Sequence, residues 1–311
     1  MSSIKKRVVV VGSINVDFVA TTERIPTTGE TVGGNDFQLH FGGKGANQAV
    51  AIARLGHPVE MLGMVGTDMF GTQVRDALSN AGVGVEFIET VEGSTGIATI
   101  TVSESGENVI VVIPGANGNV SPEYVDRYEH VIADAGAVLA QLEIPLETIT
   151  HLASVCRLHG VPLILDPAPA REIPSEILAE VSWFTPNEKE AEFYARQIDP
   201  TLPLSDPQAI AAAFLQLGVK SVVLKMGSRG ALVASKDGSQ LVSAVPVEAI
   251  DSTAAGDCFN GAFATGLMQG MVPAHAARFA CVAAGISVTK RGAQSSMPSL
   301  DEVTELMALR A

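Results

Sequence analysis

The segment Asp251-Ser252-Thr253-Ala254-Ala255-Gly256-Asp257 joins a turn of small residues to a long stretch of low charge, residues 258–277. That stretch reads as a helix, so the turn lies at a helix start, where backbone N–H groups have no partner within the helix. These N–H groups and the helix dipole favour an anion such as a phosphoryl group. A carboxylate at the same place can take a proton from an attacking hydroxyl. The segment therefore indicates phosphoryl transfer to an alcohol, whereas Asp257 alone could simply stabilise the helix dipole.

The composition narrows the class of protein. A chain of 311 residues with 47% hydrophobic residues can form one large α/β domain with insertions, or two domains. A net charge of −14 argues against nucleic acid or an anionic membrane as partner, but not against a nucleotide, which needs only a local patch and a metal ion. The three cysteines are far apart and show no disulfide or zinc spacing, which predicts a reducing, cytoplasmic compartment.

Neither apolar run of the chain suits a membrane or an export signal. The run before Gly12 is too short for the core of a signal peptide. The least charged long stretch, 258–274, contains Asn260, Gln269, Pro273 and three glycines. We expect it to be a buried helix and not a membrane span.

Strand and helix patterns alternate along most of the chain. Predicted strands cover 8–11, 59–65, 137–142, 161–165, 182–185, 221–225 and 231–234, and predicted helices cover 44–55, 71–80, 146–158, 207–217, 257–269, 274–289 and 300–309. Such alternation predicts an α/β fold with a mostly parallel central sheet flanked by helices.

Two segments without helix patterns interrupt the alternation. Residues 16–40 read as short strands with turns at Pro26 and Gly33-Gly34, and residues 96–113 read as a hairpin around Ser105-Gly106. Both follow chain that returns to the strand ends of the main sheet, where ligands bind in such folds. We therefore expect a single domain, 1–311, with a small β-sheet lid over the site. Since a small exposed sheet needs cover, the lid also predicts a homodimer.

The segment Phe41-Gly42-Gly43-Lys44-Gly45-Ala46-Asn47 leads into a helix but is not a P-loop, because Gly45 follows the lysine where a hydroxyl residue is required. The first strand ends in Gly12-Ser13-Ile14-Asn15 without a G-x-G-x-x-G pattern, which disfavours a dinucleotide-dependent oxidoreductase. A tight turn explains the glycines. It does not explain Lys44 and Asn47, which lie one helical turn apart and point the same way, as a polyol site requires.

Polar residues also follow other predicted strands. Asn15 and Asp17 follow the first strand and either cap the backbone locally or bind a ligand. Glu143, in Gln141-Leu142-Glu143, either accepts a sugar hydroxyl or caps the next helix.

Two further segments carry similar alternatives. Asn187 and Glu190 fit a capping box, with a water-mediated magnesium and phosphate site as the alternative. The segment Lys225-Met226-Gly227-Ser228-Arg229-Gly230 is either a plain turn or a close backbone approach to a nucleotide.

Together these residues resemble the ribokinase/PfkB carbohydrate kinase family. Gly42-Gly43-Lys44-Gly45-Ala46-Asn47-Gln48-Ala49, followed by Leu55-Gly56, is similar to the first family signature, and residues 251–257 are similar to the second. Asn187 through Glu190 match the N-x-x-E element. The resemblance extends from Gly12 to Pro298.

The resemblance implies ATP-dependent phosphorylation of D-ribose at O5, giving D-ribose 5-phosphate, with Asp257 as general base and an anion hole at the N–H groups of Ala254, Ala255 and Gly256. The residues implied to bind sugar are Asn15, Asp17, Gly43, Lys44, Asn47 and Glu143, with Ala98 and Val112 as apolar lid contacts. The residues implied to line the nucleotide site are Asn187, Glu190, Lys225, Gly227, Ser228, Gly230, Gly256 and Cys281, with Mg²⁺ carried on the ATP phosphates. A monovalent cation, typically K⁺, is implied beside the anion hole, with ligands from Asp251, Thr253, Ser287, Lys290, Gly292 and Ser296.

Other functions compete with this one. A kinase for 2-deoxyribose, another sugar or a nucleoside shares the same motifs. Asp17, Lys44 and Asn47 favour a free polyol over a nucleoside but do not decide whether the 2-hydroxyl is required. A non-catalytic sugar-binding sensor is disfavoured because Asp257, the glycine turn and Asn187 are all retained.

Overall fold

Four consecutive valines, Val8–Val11 (β1), form a central strand of the main sheet. All four are fully buried; Val8 and Val10 pack in one core layer, and Val9 and Val11 pack in the other. A strand covered on both faces is typical of a parallel sheet between two helix layers. In this computed structural model, which describes residues 6–309, the predicted α/β fold is confirmed.

Two sheets are present in the described part of the chain. Their strands are β1 (Val8–Val11), β2 (Asn15–Thr22), β3 (Gly34–Gly42), β4 (Val59–Gly66), β5 (Ile88–Val91), β6 (Gly96–Ser103), β7 (Asn108–Ile113), β8 (Ala137–Gln141), β9 (Leu163–Asp166), β10 (Trp183–Phe184), β11 (Ser221–Lys225), β12 (Ala231–Ser235) and β13 (Gly238–Val242). The main sheet has the order β13-β12-β11-β10-β9-β8-β1-β4-β5, and only the pairs β11–β12 and β12–β13 are antiparallel. The carboxyl ends of the parallel strands therefore lie along one edge.

Helices cover both faces of this sheet. They are α1 (Lys44–Arg54), α2 (Met69–Asn80), α3 (Pro122–Arg127), α4 (Glu129–Ala133), α5 (Leu146–His159), α6 (Ser175–Glu180), α7 (Glu188–Ile198), α8 (Pro207–Gln216), α9 (Ala255–Met268), α10 (Pro273–Ser287) and α11 (Leu300–Leu309). Helices α1, α2, α9, α10 and α11 contribute to the first core layer, and α3 to α8 contribute to the second. Among residues 6–309, no helix is both long and apolar enough to cross a membrane.

Helix α9 is largely buried. Ten of its residues, from Asp257 to Gly266, are buried. Its Phe263 ring makes an edge-on contact with Trp183 on β10, with ring centroids 5.1 Å apart. The helix is therefore held against the sheet two turns beyond its start.

The predicted lid is a separate four-stranded sheet, in the order β3-β2-β6-β7. The predicted hairpin is β6 and β7, with Ala98 opposite Val112, and Asp17 on β2 lies opposite Ala98. Residues directly opposite on neighbouring strands share a face, so Asp17, Ala98 and Val112 face the same side. One face of the lid therefore carries both polar and apolar side chains.

The sequence pattern did not predict five elements, namely β5, β13, α3, α4 and α6. Each has four to six residues, too few to display a helical or strand period clearly. Helix α7 was anticipated only through its capping residues. Several bounds differ by one or two residues: the strand predicted at 161–165 is Leu163–Asp166, and the helix predicted at 274–289 is Pro273–Ser287.

Candidate active site

Glycines allow α1 to pack closely against the end of β1 and against α9. Gly43, which precedes α1, has φ 88°, and a Cβ on Gly45 would lie 2.8 Å from the carbonyl carbon of Gly12 at the end of β1. On α9, a Cβ on Gly261 would lie 2.7 Å from Cβ of Ala51 on α1. Any larger residue at these points would push the backbones apart. The glycines of the first motif are therefore required for close packing as well as for a turn.

Asp257 lies in the first turn of α9, facing α1, and is 5% exposed. Asn47 donates to its Oδ2 at 3.0 Å, and Gln48 donates to its Oδ1 at 3.2 Å. Burial raises the pKa of Asp257 to about 6; the positive charge of Lys44 limits the rise, and the negative charge of Asp166 adds to it. An oriented carboxylate with a raised pKa suits a general base that works near neutral pH.

The start of α9 offers backbone donors to an anion. Ala254 adopts a left-handed conformation, with φ 57° and ψ 15°, and precedes the helix. The N–H of Ala255 donates to the carbonyl of Ser252 at 3.2 Å. Within residues 6–309, the N–H groups of Ala254 and Gly256 have no protein acceptor, and Gly256 is exposed. Two of the three implied anion-hole donors are therefore open, and the third is engaged.

Asn15 is held by Asn117, a residue that had been assigned no role from the sequence. Asn117 donates from Nδ2 to Oδ1 of Asn15 at 2.7 Å, and its own Oδ1 accepts from the N–H of Ile14 at 2.8 Å. All of these polar groups are buried. The side chain of Asn15 is thus fixed at the junction between β1 and β2.

Four charged side chains, those of Asp17, Lys44, Glu143 and Asp257, gather around the start of α1. The carboxylate of Asp17 lies against Gly42, where a Cβ would collide with it. Burial, with Glu143 and Asp257 nearby, raises the pKa of Asp17 to about 7. Burial disfavours the charge on Lys44, but Asp257 and Glu143 outweigh it and raise the pKa of this lysine. The cluster combines acceptors and a strong donor, as binding of several sugar hydroxyls requires.

Glu143 caps a helix, but not the one that the sequence suggested. It accepts from the hydroxyl of Ser13 and, at 3.1 Å, from the N–H of Lys44 at the start of α1. The following helix, α5, starts after Pro145 without a side-chain cap. The alternative of capping the next helix is therefore wrong, and Glu143 links the chain after β8 to the start of α1.

Among the residues implied to line the nucleotide site, Asn187 and Glu190 form the capping box of α7. Glu190 accepts from the N–H of Asn187 at 2.7 Å, and Asn187 Oδ1 accepts from the N–H of Glu190 at 2.9 Å. Glu190 is buried, and burial raises its pKa. This geometry accounts for both residues as helix caps and leaves the phosphate and magnesium role untested.

The glycine turn after β11 is a single 3₁₀ turn, Gly227–Arg229. Gly227 and Ser228 are exposed, whereas Gly230 is buried with φ 96° and could not carry a Cβ without colliding with the carbonyl of Val242. Cys281 on α10 is 6% exposed, and burial raises its pKa to about 11. The turn is accessible to a ligand, and the thiol is a packed apolar group.

A buried network of hydrogen bonds extends from Lys225, at the end of β11, to Asp257, at the start of α9. Lys225 Nζ donates to Oδ1 of Asp166 at 2.8 Å, and Gln48 Nε2 donates to Oδ2 of the same carboxylate at 2.9 Å. Gln141 donates to Oε1 of Gln48 at 2.7 Å. Since Gln48 also bonds to Asp257, the network runs from the end of β11 to the proposed base.

The segments implied to bind a monovalent cation adjoin one another. Asp251 accepts from the N–H of Thr253 at 2.9 Å and from the N–H of Gly292 at 2.8 Å. The hydroxyls of Ser287 and Ser296 donate to backbone carbonyls, and the ammonium of Lys290 pairs with Glu302.

The carbonyl oxygens of these segments that accept no hydrogen bond suit an alkali cation. Among the described residues, the carbonyl oxygens of Thr253, Lys290 and Gly292 accept no hydrogen bond, and carbonyl oxygens are the ligands that K⁺ uses in proteins. Within 6–309, no group of three or more His, Cys, Asp or Glu side chains is placed to hold a metal ion.

The sequence profile of the pfkB family carbohydrate kinases matches residues 5–300. The chain belongs to this family. The enzyme class expected from the motifs, a phosphotransferase acting on carbohydrate, is thereby confirmed.

Relatives within the family are similar over nearly the whole chain. The ribokinase of Schizosaccharomyces pombe is 42% identical over 95% of this chain and 96% of its own length. The deoxyribokinase of Salmonella typhimurium is 36% identical over 97% of this chain and 99% of its own length. The structure of Arabidopsis thaliana ribokinase complexed with ribose and ATP has a TM-score of 0.91 at 34% identity, covering 98% of this chain and 99% of that one.

The site contains three residues that had been assigned no role from the sequence: Gln48, Asn117 and Asp166. Asp166 ends the apolar strand β9 at the carboxyl edge of the sheet. The same signal identified Asn15 and Glu143, so it was available for Asp166. Gln48 and Asn117 carry no such signal, because their roles depend on contacts with residues more than ninety positions away.

Proposed function

We propose that this protein transfers the γ-phosphoryl group of ATP to O5 of D-ribose, giving D-ribose 5-phosphate. The observation that carries the proposal is the position of Asp257. Its buried carboxylate, oriented by Asn47, stands in the same helical turn as the open N–H of Gly256. Base and anion site are thus adjacent, which direct transfer to a hydroxyl requires.

The sugar lies between the lid and the start of α1. Asn15, Asp17, Lys44, Asn47 and Glu143, with Gly43, supply hydrogen-bond donors and acceptors for its hydroxyls. Ala98 and Val112, on the same lid face as Asp17, close over its apolar edge. Lid closure excludes water and so favours transfer to the sugar over hydrolysis.

The transfer step is in-line. Asp257 takes the proton of the O5 hydroxyl while the N–H groups at the start of α9 stabilise the charge on the transferring group. Positioning and electrostatics supply most of the rate. The nucleotide extends from α9 towards Asn187, Glu190, Lys225, Cys281 and the turn at Gly227, Ser228 and Gly230.

Two ions complete the proposal. Mg²⁺ carried on the ATP phosphates would neutralise their charge. The residues that would hold a monovalent cation, K⁺, are Asp251, Thr253, Ser287, Lys290, Gly292 and Ser296, largely through carbonyl oxygens. The cation would act indirectly by shaping the turn from Asp251 to Asp257, since Asp251 is engaged by two backbone N–H groups and is not a second base.

The second candidate substrate is 2-deoxyribose. Its support is the 36% identity to the deoxyribokinase of Salmonella typhimurium over 97% of the chain. A site that bonds the 2-hydroxyl discriminates strongly against a sugar lacking it, so the two substrates separate cleanly in a rate measurement.

A coupled ADP-release assay tests the function. D-ribose, 2-deoxyribose, fructose and adenosine are compared at saturating ATP and Mg²⁺, with enzyme-free and sugar-free reactions as controls. We expect kcat/KM to be highest for D-ribose. A higher value for 2-deoxyribose would assign the second substrate, and ADP release that no sugar stimulates would contradict a sugar kinase.

We further propose a homodimer of single kinase domains, 1–311, joined through lid segments 16–40 and 96–113. Residues 1–5 and 310–311 lie outside the described residues. Support comes from β7, whose six residues are all exposed although five are apolar. Three free, buried cysteines are compatible with the proposed cytoplasmic location.

A further inference from the structure

Lys225 ends β11, and its side chain turns inward beneath the start of α9. Only 10% of the side chain is exposed, and its ion-pair partner Asp166 is 4% exposed. A buried ion pair is weak evidence for stability, because desolvation of the two charges offsets their attraction. The pair at this position therefore points to a chemical role.

The ammonium of Lys225 borders the anion site. A Cβ placed on Gly256 would lie 3.6 Å from Nζ of Lys225 and would meet nothing else beyond its own helix. The N–H of Gly256 has no acceptor within the described part of the chain. Two independent groups that attract an anion, a cation and a helix-terminal N–H, thus lie beside the same open space.

The other end of the network reaches the base. The amide of Gln48 donates from Nε2 to Asp166 at 2.9 Å and to Asp257 at 3.2 Å. The donor from Gln141 to Oε1 of Gln48 fixes the amide so that its NH₂ group faces both carboxylates. Asp166 therefore binds the ammonium of Lys225 directly and is connected to Asp257 through the side chain of Gln48.

We propose that Lys225 contacts the phosphoryl group in transfer, and that Asp166 is a positioning residue that holds this ammonium and, through Gln48, the carboxylate of Asp257. The inference rests on the proposed phosphoryl transfer. In that step the bond from the γ-phosphorus to the β–γ bridging oxygen breaks, the bond to O5 forms, and the O5 proton goes to Asp257. The side chain of Lys225 stabilises charge on the equatorial oxygens.

The ion pair also affects the base. Asp257 faces Lys44 from α1, Asp17 from the lid, Asp166 from β9 and the thiol of the adjacent Cys258. The charge of Asp166 raises the pKa of Asp257, and Lys225 offsets that charge. Removing Lys225 should raise the pKa of the base, and removing the charge of Asp166 should lower it.

The test compares Lys225→Met, Asp166→Asn and the double variant with wild type. Lys220→Met, an exposed lysine just before the same strand, is the matched control. We expect Lys225→Met to lower kcat by about 10²–10³-fold, the usual effect of losing one charge-stabilising donor. The acid limb of the kcat/KM profile should move to higher pH in Lys225→Met and to lower pH in Asp166→Asn, and it should stay in place in the control.

A readout without sugar separates this inference from the proposed function. Calorimetric titration with inorganic tripolyphosphate, a probe of the phosphate side alone, should show roughly tenfold weaker binding to Lys225→Met than to Lys220→Met. If wild type phosphorylates no sugar, the proposed function fails, and this titration still decides whether Lys225 contacts phosphate.

The double variant covers the case in which Lys225→Met does not fold, because removing both charges leaves no unpaired buried ion. If the folded double variant turns over within a few-fold of wild type, or binds tripolyphosphate as tightly, the pair is structural and the proposal is overturned. If the acid limb of the kcat/KM profile lies at the same pH in Asp166→Asn and in wild type, Asp166 does not act on the pKa of Asp257.

Discussion

At the scale of single residues, Asp257 shows a conflict between stability and chemistry. Its folded-state pKa, about 6, lies above the ordinary value of 3.8, because burial disfavours the charged form. A group whose folded pKa is raised destabilises the fold at any pH above that value, and the penalty is absent below its unfolded pKa. At neutral pH the charge of Asp257 therefore weakens the fold.

Asp257→Asn should separate these two effects. We expect a loss of kcat of about 10²–10⁴-fold, the usual contribution of a general base. The thermal midpoint should be unchanged or raised by a few degrees, since the buried charge is gone. Asn47 Oδ1, which has no partner in the described residues, can turn to accept from the new amide.

Steady-state kinetics and calorimetry on the same preparation check this prediction. Asp237→Asn, an exposed residue in the β12–β13 turn, is the control for an Asp-to-Asn change as such. Turnover within a few-fold of wild type would remove Asp257 from the role of base.

The pH dependence follows from the same group. Asp257 must be ionised to accept a proton, so kcat/KM for the sugar should fall as pH drops through about 6. Asp17, with a pKa of about 7, adds a second inflection if its charge is needed for sugar binding. Profiles of wild type and Asp17→Asn at saturating nucleotide distinguish the two groups. A wild-type profile that is flat from pH 7 to pH 5 would contradict the assignment of Asp257.

The types and positions of the polar residues were predictable, and their exact partners were not. Asp17 was identified because it follows an apolar strand, Asp257 because it follows a turn of small residues at a helix start, and Asn47 because it lies one helical turn from Lys44. Their raised pKa values arise from burial and from mutual charge, which involve β2, α1 and α9 together. No local pattern contains that information.

At the scale of elements, the junction where the lid leaves the main sheet is tightly packed. A Cβ on Gly96, the first residue of β6, would collide with the side chains of Asn15 and Asn117. Gly96→Ala should therefore displace Asn15 and weaken sugar binding, raising KM for the sugar roughly tenfold with little change in KM for ATP. Initial rates with each substrate varied in turn measure both constants.

Gly33→Ala is the control for this change. Gly33 lies in the turn between β2 and β3 and has open space for a Cβ. It should leave both constants as in wild type. An equal rise of both constants in Gly96→Ala would indicate a general disturbance of the fold instead of a defect in the sugar site.

The proposed K⁺ site in the turn before α9 leads to a prediction about the dependence of kcat on potassium. If K⁺ binds the carbonyl oxygens around Asp251 and orders the turn, kcat should be several-fold higher in potassium than in sodium buffer. Choline chloride at equal ionic strength controls for salt. Equal rates in all three buffers would count against the site.

Elements of ten or more residues were largely predictable, whereas short ones were not. Helices α1, α9 and α11 lie within about two residues of their predicted bounds, because each has a long buried or amphipathic stretch. Strand β13 has four exposed residues out of five and lies at the sheet edge, so no burial pattern marks it. The lid was recognised by its lack of helix, and the parallel pairing of β2 with β6 became visible only in three dimensions.

At the scale of the whole molecule, the lid leaves apolar surface exposed. Val111 is 54% exposed and Phe37 is 59% exposed, and both lie on the lid face opposite Asp17. Exposed apolar surface of this kind is typical of an interface, and it supports the proposed assembly with a second copy. We expect Val111→Lys to shift the protein from dimer to monomer in sedimentation velocity.

Leu241→Lys is the matched control. Leu241 is equally apolar and 60% exposed, but it lies on the edge strand β13 of the main sheet. It should leave the sedimentation coefficient unchanged. A wild-type protein that sediments as a monomer at all concentrations would contradict assembly through the lid.

The contact between Trp183 and Phe263 has a practical consequence. Trp183 is the single tryptophan of the chain, and Phe263 lies on the helix whose first turn carries Asp257. The intrinsic fluorescence of Trp183 therefore reports how α9 packs against the main sheet, in an unlabelled sample and in real time. A stopped-flow trace on mixing with nucleotide would record movement of α9 and would be nearly blind to the lid, which has no tryptophan of its own.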